Sequence, residues 1–184
     1  MKKPILDRYA KMNDGRVAID ITTNRVADLY DNFDKSTPYA KKELDEDLAN
    51  YLIDSVHEIG NEAFVVRFHF NEPADDERRN RVITSVHNYF SYLKELETRT
   101  LYQLLRNSLI YLVVGIAILF LSVWANTVLP VGNSVLARVF AEGLTVAAWV
   151  SLWQAVAAFL INWLPYRSRI RLYSRLAGAS VLFD

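Results

Sequence analysis

The stretch that decides the fold is "NSLIYLVVGIAILFLSVWANTVLPVGNSVLA", residues 107–137, which carries no charged side chain. A second uncharged stretch, "GLTVAAWVSLWQAVAAFLINWLPY", covers residues 143–166. Runs of about 20 apolar residues suffice to cross a hydrocarbon core of about 30 Å. The two stretches read as transmembrane helices over about 108–128 and 143–164. The competing reading is a pair of core helices. A chain of 184 residues is too short to bury two such helices on every side.

Working outward, charge sets the expected orientation. The chain has 21 basic and 21 acidic residues, but they are not mixed evenly. Lys94, Arg99 and Arg106 precede the first span, Arg167, Arg169, Arg171 and Arg175 follow the second, and the connection carries only Arg138. The positive-inside bias puts both termini in the cytoplasm. Trp124, Trp163 and Tyr166 fall near span ends, where amphipathic rings prefer to lie. The opening "MKKPILDR" has no apolar h-region, so no signal peptide is expected. Cysteine is absent, which excludes disulfides and thiolate metal sites.

Residues 1–105 then form a cytoplasmic domain. Val17, Ile19 and Ile21 alternate with Ala18 and Asp20 as in a strand over 16–21. Thr22 and Thr23 are candidate N-caps for a short helix to about Phe33, with Val26, Leu29, Tyr30 and Phe33 on one face. A longer helix is expected over about 39–59, with Leu44, Leu48, Leu52, Val56 and Ile59 buried, ending at Gly60-Asn61. Residues 63–70, "AFVVRFHF", alternate as a second strand. Pro73 opens a helix whose first turn is acidic, as the helix dipole favours. Between Ala74 and Tyr111 there is no Pro or Gly, so this helix is expected to continue into span one. Val82, Val86, Tyr89, Leu93 and Leu96 recur at spacings of four and three. They either pack on the domain's own sheet or form a self-associating stalk.

Two strands are too few for an independent sheet. The tail "ASVLF", 179–183, is the remaining strand-like segment, and pairing with 16–21 or 63–70 would supply a third. The expected fold class is therefore an α+β membrane protein. It has a cytoplasmic β-α-α-β-α domain (1–105), a transmembrane hairpin (106–166), and a basic helix with a returning C-terminal strand (167–184).

Chemistry is thinly marked. His57, His69 and His87 show no metal-ligand spacing, and the acidic runs lack calcium-loop spacing. There is no Gly-rich phosphate loop and no G-x-S-x-G elbow. No catalytic residue, metal or cofactor is expected, and the acidic soluble part argues against nucleic acid. In span two, Gly143, Ala147, Ser151 and Ala155 recur every four residues. Small residues so spaced let helices approach closely, within the chain or between copies. Gln154 and Asn162 could hydrogen-bond across helices. Trp163, Pro165 and Tyr166 are expected to end span two. Arg167, Arg169, Arg171 and Arg175 would follow on a short helix that sets topology and meets anionic head groups, and Gly178 would stop it.

Several features together resemble a family of small, functionally uncharacterised bacterial integral membrane proteins. They are Asp28-Leu29, Phe33, Pro38, Glu142-Gly143-Leu144, Trp149, Trp153, Trp163, Pro165 and Arg171-Leu172-Tyr173-x-Arg175-Leu176. The resemblance implies a bacterial inner membrane and no activity. The family pattern places Arg-Pro, Glu and Asp within span two, where this chain has Gln154-Ala155, Ala157 and Asn162. Without those intramembrane charges a charge-based transport role is not expected. The expected function is a non-enzymatic oligomerising scaffold or accessory subunit, with lipids and either its own copies or a membrane protein as partners. The alternative is a homo-oligomeric channel with Ser151, Gln154 and Asn162 facing its axis.

Overall fold

The computed structural model describes residues 6–30, 44–72, 75–128 and 135–184. Phe33, Pro38, residues 39–43 and residues 129–134 lie outside them. The elements are β1 (Ala10–Lys11), β2 (Val17–Thr23), a 3-10 turn (Val26–Leu29), α1 (Glu46–Ile59), β3 (Phe64–Phe70), α2 (Asp76–Val128), α3 (Val135–Ala177) and β4 (Ser180–Phe183). The chain divides into two compact units, Met1–Leu96 with Arg169–Asp184, and Glu97–Ser168.

The first unit is built on a four-stranded sheet in the order β1-β2-β3-β4. β1 runs antiparallel to β2, while β2–β3 and β3–β4 are parallel. Parallel neighbours need a long crossover. The β2–β3 crossover contains α1. The β3–β4 crossover contains both α2 and α3, so the whole apolar helix pair is inserted between two adjacent strands. The C-terminal segment does return to the sheet, and its partner is β3, with Val66 opposite Val181 and Phe68 opposite Phe183.

One core joins these elements. Val17, Ile19, Ile21, Val66 and Phe68 of the sheet meet Leu52, Val56 and Ile59 of α1, Val82, Val86 and Phe90 of α2, and Leu176 of α3. The spaced apolar stripe on α2 thus packs on its own unit through Val82 and Val86, with Tyr89 and Leu93 half-buried beside it. Leu96, at the end of the stripe, is exposed. Phe68, Phe70 and Phe183 stack with ring centres 6.0–6.1 Å apart, which ties β4 into the core.

Four expectations need correction. Thr22 and Thr23 do not cap a helix: pairing with His69 and Phe70 keeps them in β2. The turn that follows is a single 3-10 turn, begun where the Asp28 carboxylate accepts the Arg25 amide at 3.1 Å. α1 starts at Glu46 because Asp45 accepts the amides of Asp47 and Leu48, satisfying two of the orphan donors of a helix start. Leu44 bridges to Tyr30 instead of joining the helix. β1, two residues long, has no sequence pattern of its own.

The fourth correction concerns Pro165. It does not end the helix: α3 runs unbroken from Val135 to Ala177 with Pro165 inside it. Proline removes one intrahelical hydrogen bond and crowds the preceding turn. The long regular stretches on both sides hold the helix through that loss. The helix stops at Gly178, whose amide donates to Ser174 O at 3.2 Å.

Candidate functional site

The second unit is a pair of antiparallel helix segments, and its contacts are made by small residues. A Cβ added at Gly115 would stand 3.2 Å from Leu152 and from Ser151 Cβ. Seven residues later, Ser122 Oγ lies 3.0 Å from Thr145 Oγ1. Seven residues earlier, Ser108 is buried, with its hydroxyl donating to Leu104 O at 2.9 Å. On α3, Ala148 and Ala155 are buried. The seam is therefore Ser108, Gly115 and Ser122 on α2 against Thr145, Ala148, Leu152 and Ala155 on α3. Those spacings, sevens on one helix and three-four-three on the other, follow the 3.5-residue repeat of two helices that stay in contact.

The seam proposed from sequence obeys a different period. Steps of four drift by about 40° each on a helix of 3.6 residues per turn. Across Gly143, Ala147, Ser151 and Ala155 the row turns away from its partner. Ala155 is buried and Ser151 half-buried, while Gly143 and Ala147 are exposed. Ser151 gives its hydroxyl to Ala147 O at 2.9 Å, one turn back on its own helix. Gln154 is exposed, and the Asn162 side chain lies outside the described residues. The structure thus puts Ser151 and Ala155 at the α2–α3 contact and leaves Gln154 off it.

Beside the seam is an apolar slot of about 440 Å³, walled by Leu105, Leu109 and Leu112 of α2 and by Val156, Phe159 and Leu160 of α3. Its floor is Ser108 and Ala155. One turn further along α3, Trp163 meets Phe159 edge-to-face with ring centres 4.6 Å apart. The Arg167 guanidinium lies over the Trp163 ring at 6.0 Å.

The four arginines after Trp163 do not share one environment. Arg167, Arg169 and Arg171 are exposed. Arg175, grouped from sequence with the head-group arginines, belongs to the sheet unit. Its guanidinium donates to Gly60 O and Glu62 O and covers the Phe64 ring at 5.0 Å. Burial lowers its pKa from the usual arginine value. Arg175 therefore clips the end of α3 to the turn between α1 and β3. Its immediate sequence shows only a basic run, so this role becomes visible once the fold brings Gly60 and Glu62 beside it.

The outward face of the sheet carries a polar row that sequence reading missed. Arg67 on β3 forms a two-pronged pair with Asp20 on β2, at 2.6 and 3.0 Å, and reaches Asp184 beyond β4 at 3.4 Å. His69 Nε2 is 3.7 Å from Asp20. The Arg67 hydrogen bonds hold the Asp20 carboxyl below its ordinary pKa. The available signal was register: Asp20 and Arg67 are polar positions in the alternation of two strands and pair directly across them. Next to this row is a cleft of about 290 Å³ lined by Arg8, Tyr9, Asp20, Tyr51, Asp54 and Glu58, among others. Tyr9 donates to Glu58 at 2.8 Å, and its pKa is raised, first by burial and then by Glu58.

Of the other histidines, His57 is exposed on α1 and the His87 ring contacts Ala177 O. Among the described residues no group of three His, Asp or Glu side chains could hold a metal ion. Comparison of the chain with protein-family profiles, with curated proteins and with solved structures finds no match.

Proposed function

We propose that the chain is a non-enzymatic integral membrane protein that works by association, as an oligomerising scaffold or accessory subunit of a membrane complex. One observation carries this reading. Two helices are long and apolar enough to cross a membrane, yet only 6% and 11% of their most apolar windows is buried by the chain itself. Core helices of a water-soluble protein would be mostly covered. Here Leu109, Val113, Phe120, Trp149 and Trp153 are all exposed. Such a surface needs lipid or protein against it.

The arginine bias supports a hairpin with both termini in the cytoplasm, and the family resemblance supports a bacterial inner membrane. The exposed Gly143 and Ala147 leave part of α3 narrow enough for a further helix to approach. Membrane fractionation followed by mass measurement in lipid nanodiscs tests the reading. The expected result is a chain that resists alkaline extraction and runs as a multimer or with a co-purifying protein. Release into the soluble fraction would overturn the membrane placement. A strictly monomeric, partner-free species in the membrane would overturn the scaffold.

A further inference from the structure

We propose that α3 joins a second copy of this chain, lying parallel to it in the same membrane, through a seam centred on Gln154. The proposal rests on the scaffold reading above and deepens it by naming the partner and the face that meets it.

Gln154 has a need that its own chain does not meet. It is exposed, and its amide forms no hydrogen bond with any described residue. Gly143 lies eleven residues before it and Tyr166 twelve after it, about 17 Å either way along a helix. On the membrane placement that is the middle of a hydrocarbon core of about 30 Å. An amide at that depth loses water and gains nothing from lipid tails, which costs free energy. The α2–α3 contact does not serve it. Around α3, Gln154 stands about 100° from Ala155 and about 160° from Leu152, the residues that meet α2. The serine hydroxyls near the contact are committed elsewhere, Ser108 to Leu104 O, Ser122 to Thr145 and Ser151 to Ala147 O.

The residues around Gln154 indicate what fits there. Gly143, Ala147, Val150, Gln154, Ala157 and Ile161 recur at alternating steps of four and three. That is the same 3.5-residue repeat by which Thr145, Ala148, Leu152 and Ala155 follow α2. All six lie within about 60° of Gln154 around the helix. Ala157 is half-buried and the other five are exposed. α3 thus carries two seams on opposite sides, and α2 occupies one of them. The second is apolar except for one central amide. A single polar residue in an apolar heptad row fixes the register and number of paired helices.

The amide also selects the occupant. It both donates and accepts, so it pairs with its own copy. A parallel copy related by a two-fold axis brings its Gln154 to the same depth by symmetry. Any other helix would have to carry a matching polar group at that level. The small side chains of Gly143, Ala147 and Ala157 let the two backbones come close enough for the amides to meet.

The chain has no cysteine, so single cysteines placed in the full chain map this face in membranes. Ala147→Cys and Ile161→Cys should each form disulfide dimers on mild oxidation. Val156→Cys, about 160° around the helix from Gln154, should not. In the Ala147→Cys background, Gln154→Leu should weaken association about three- to tenfold, as loss of a hydrogen bond between membrane helices allows. The readout is the lipid dilution at which half of the cross-link disappears. Gln154→Asn should restore most of the association. Cross-linking at Val156→Cys in place of Ala147→Cys overturns the proposal. So does association that Gln154→Leu leaves unchanged. Reaction of Val150→Cys with a water-soluble thiol reagent would place water at this face and overturn it as well. A chain that is monomeric but held by a different protein would overturn the second copy and leave the scaffold reading standing. A partner-free monomer would overturn both.

Discussion

The sheet unit and the helix pair bury their contacts with opposite kinds of residue. Almost every buried apolar side chain belongs to the sheet unit, where Phe68, Phe90, Ile19, Leu52 and Ile59 are nearly sealed from solvent. Among the described residues of the helix pair the buried apolar side chains are Ala148 and Ala155, joined by Ser108 and Ser122. The first pattern is what water selects: large side chains gain most by leaving it. The second suits hydrocarbon, where burying a leucine against protein gains little over lipid and close approach of backbones matters more. On the proposed membrane placement, one chain carries two cores, one driven by removal from water and one by closeness of fit.

The strongest way to break this comparison is Phe68→Ala. Phe68 is fully buried and stacks on Phe70 and Phe183. Its loss should cost about 3–5 kcal/mol, the range for a large aromatic removed from a core. Chemical denaturation followed by the fluorescence of a probe on the sheet unit would measure it. The same variant should leave membrane extraction behaviour unchanged. If extraction changed in step with unfolding, the two cores would not be independent.

A second substitution addresses the helix pair. Gly115→Leu forces a side chain where even a Cβ would lie 3.2 Å from Leu152 and Ser151. Overpacking of this kind costs about 1–3 kcal/mol. Because the chain has no cysteine, a Ser122→Cys, Thr145→Cys pair can report the contact directly. Mild oxidation should cross-link it readily, and Gly115→Leu in the same background should slow the cross-link several-fold. An unchanged rate would mean that the seam does not depend on close approach at Gly115.

The same contrast explains what could be read without the structure. β2 and β3 are legible because alternate residues, such as Phe64, Val66 and Phe68, meet the core, and the tail is legible as the remaining strand-like segment. The continuity of α2 is legible because nothing from Asp76 to Tyr111 can break a helix. The short 3-10 turn is not legible. Thr22 and Thr23 look like caps, and only pairing with β3 shows that they are strand. The helix seam is ambiguous for a different reason. Small residues on α3 permit several faces, and the face in use is chosen by Ser108, Gly115 and Ser122 on the other helix. Arg175 and Asp20 owe their partners to residues distant in sequence, Gly60 and Glu62 for one and Arg67 for the other.

The smallest expected effect lies on the polar face of the sheet and sharpens the contrast from the side of charge. Asp20→Asn removes a carboxylate whose pKa is depressed chiefly by its hydrogen bonds from Arg67. A depressed carboxyl pKa adds stability above the unfolded value and loses it as pH falls through the folded value. The side chain of Asp20 is 39% exposed, so screening by solvent limits the contribution to a few tenths of a kcal/mol. The stability difference between the unaltered chain and Asp20→Asn should therefore be present at neutral pH. It should shrink below about pH 4 as the unfolded carboxyl and then the folded one take up protons. It should also fall at high salt. A difference that persisted undiminished at pH 2 would show that the Asn side chain disrupts the β2–β3 register itself. In that case the ion pair would not be the source of the effect. The salt series separates these accounts, because a register defect has no reason to respond to ionic strength.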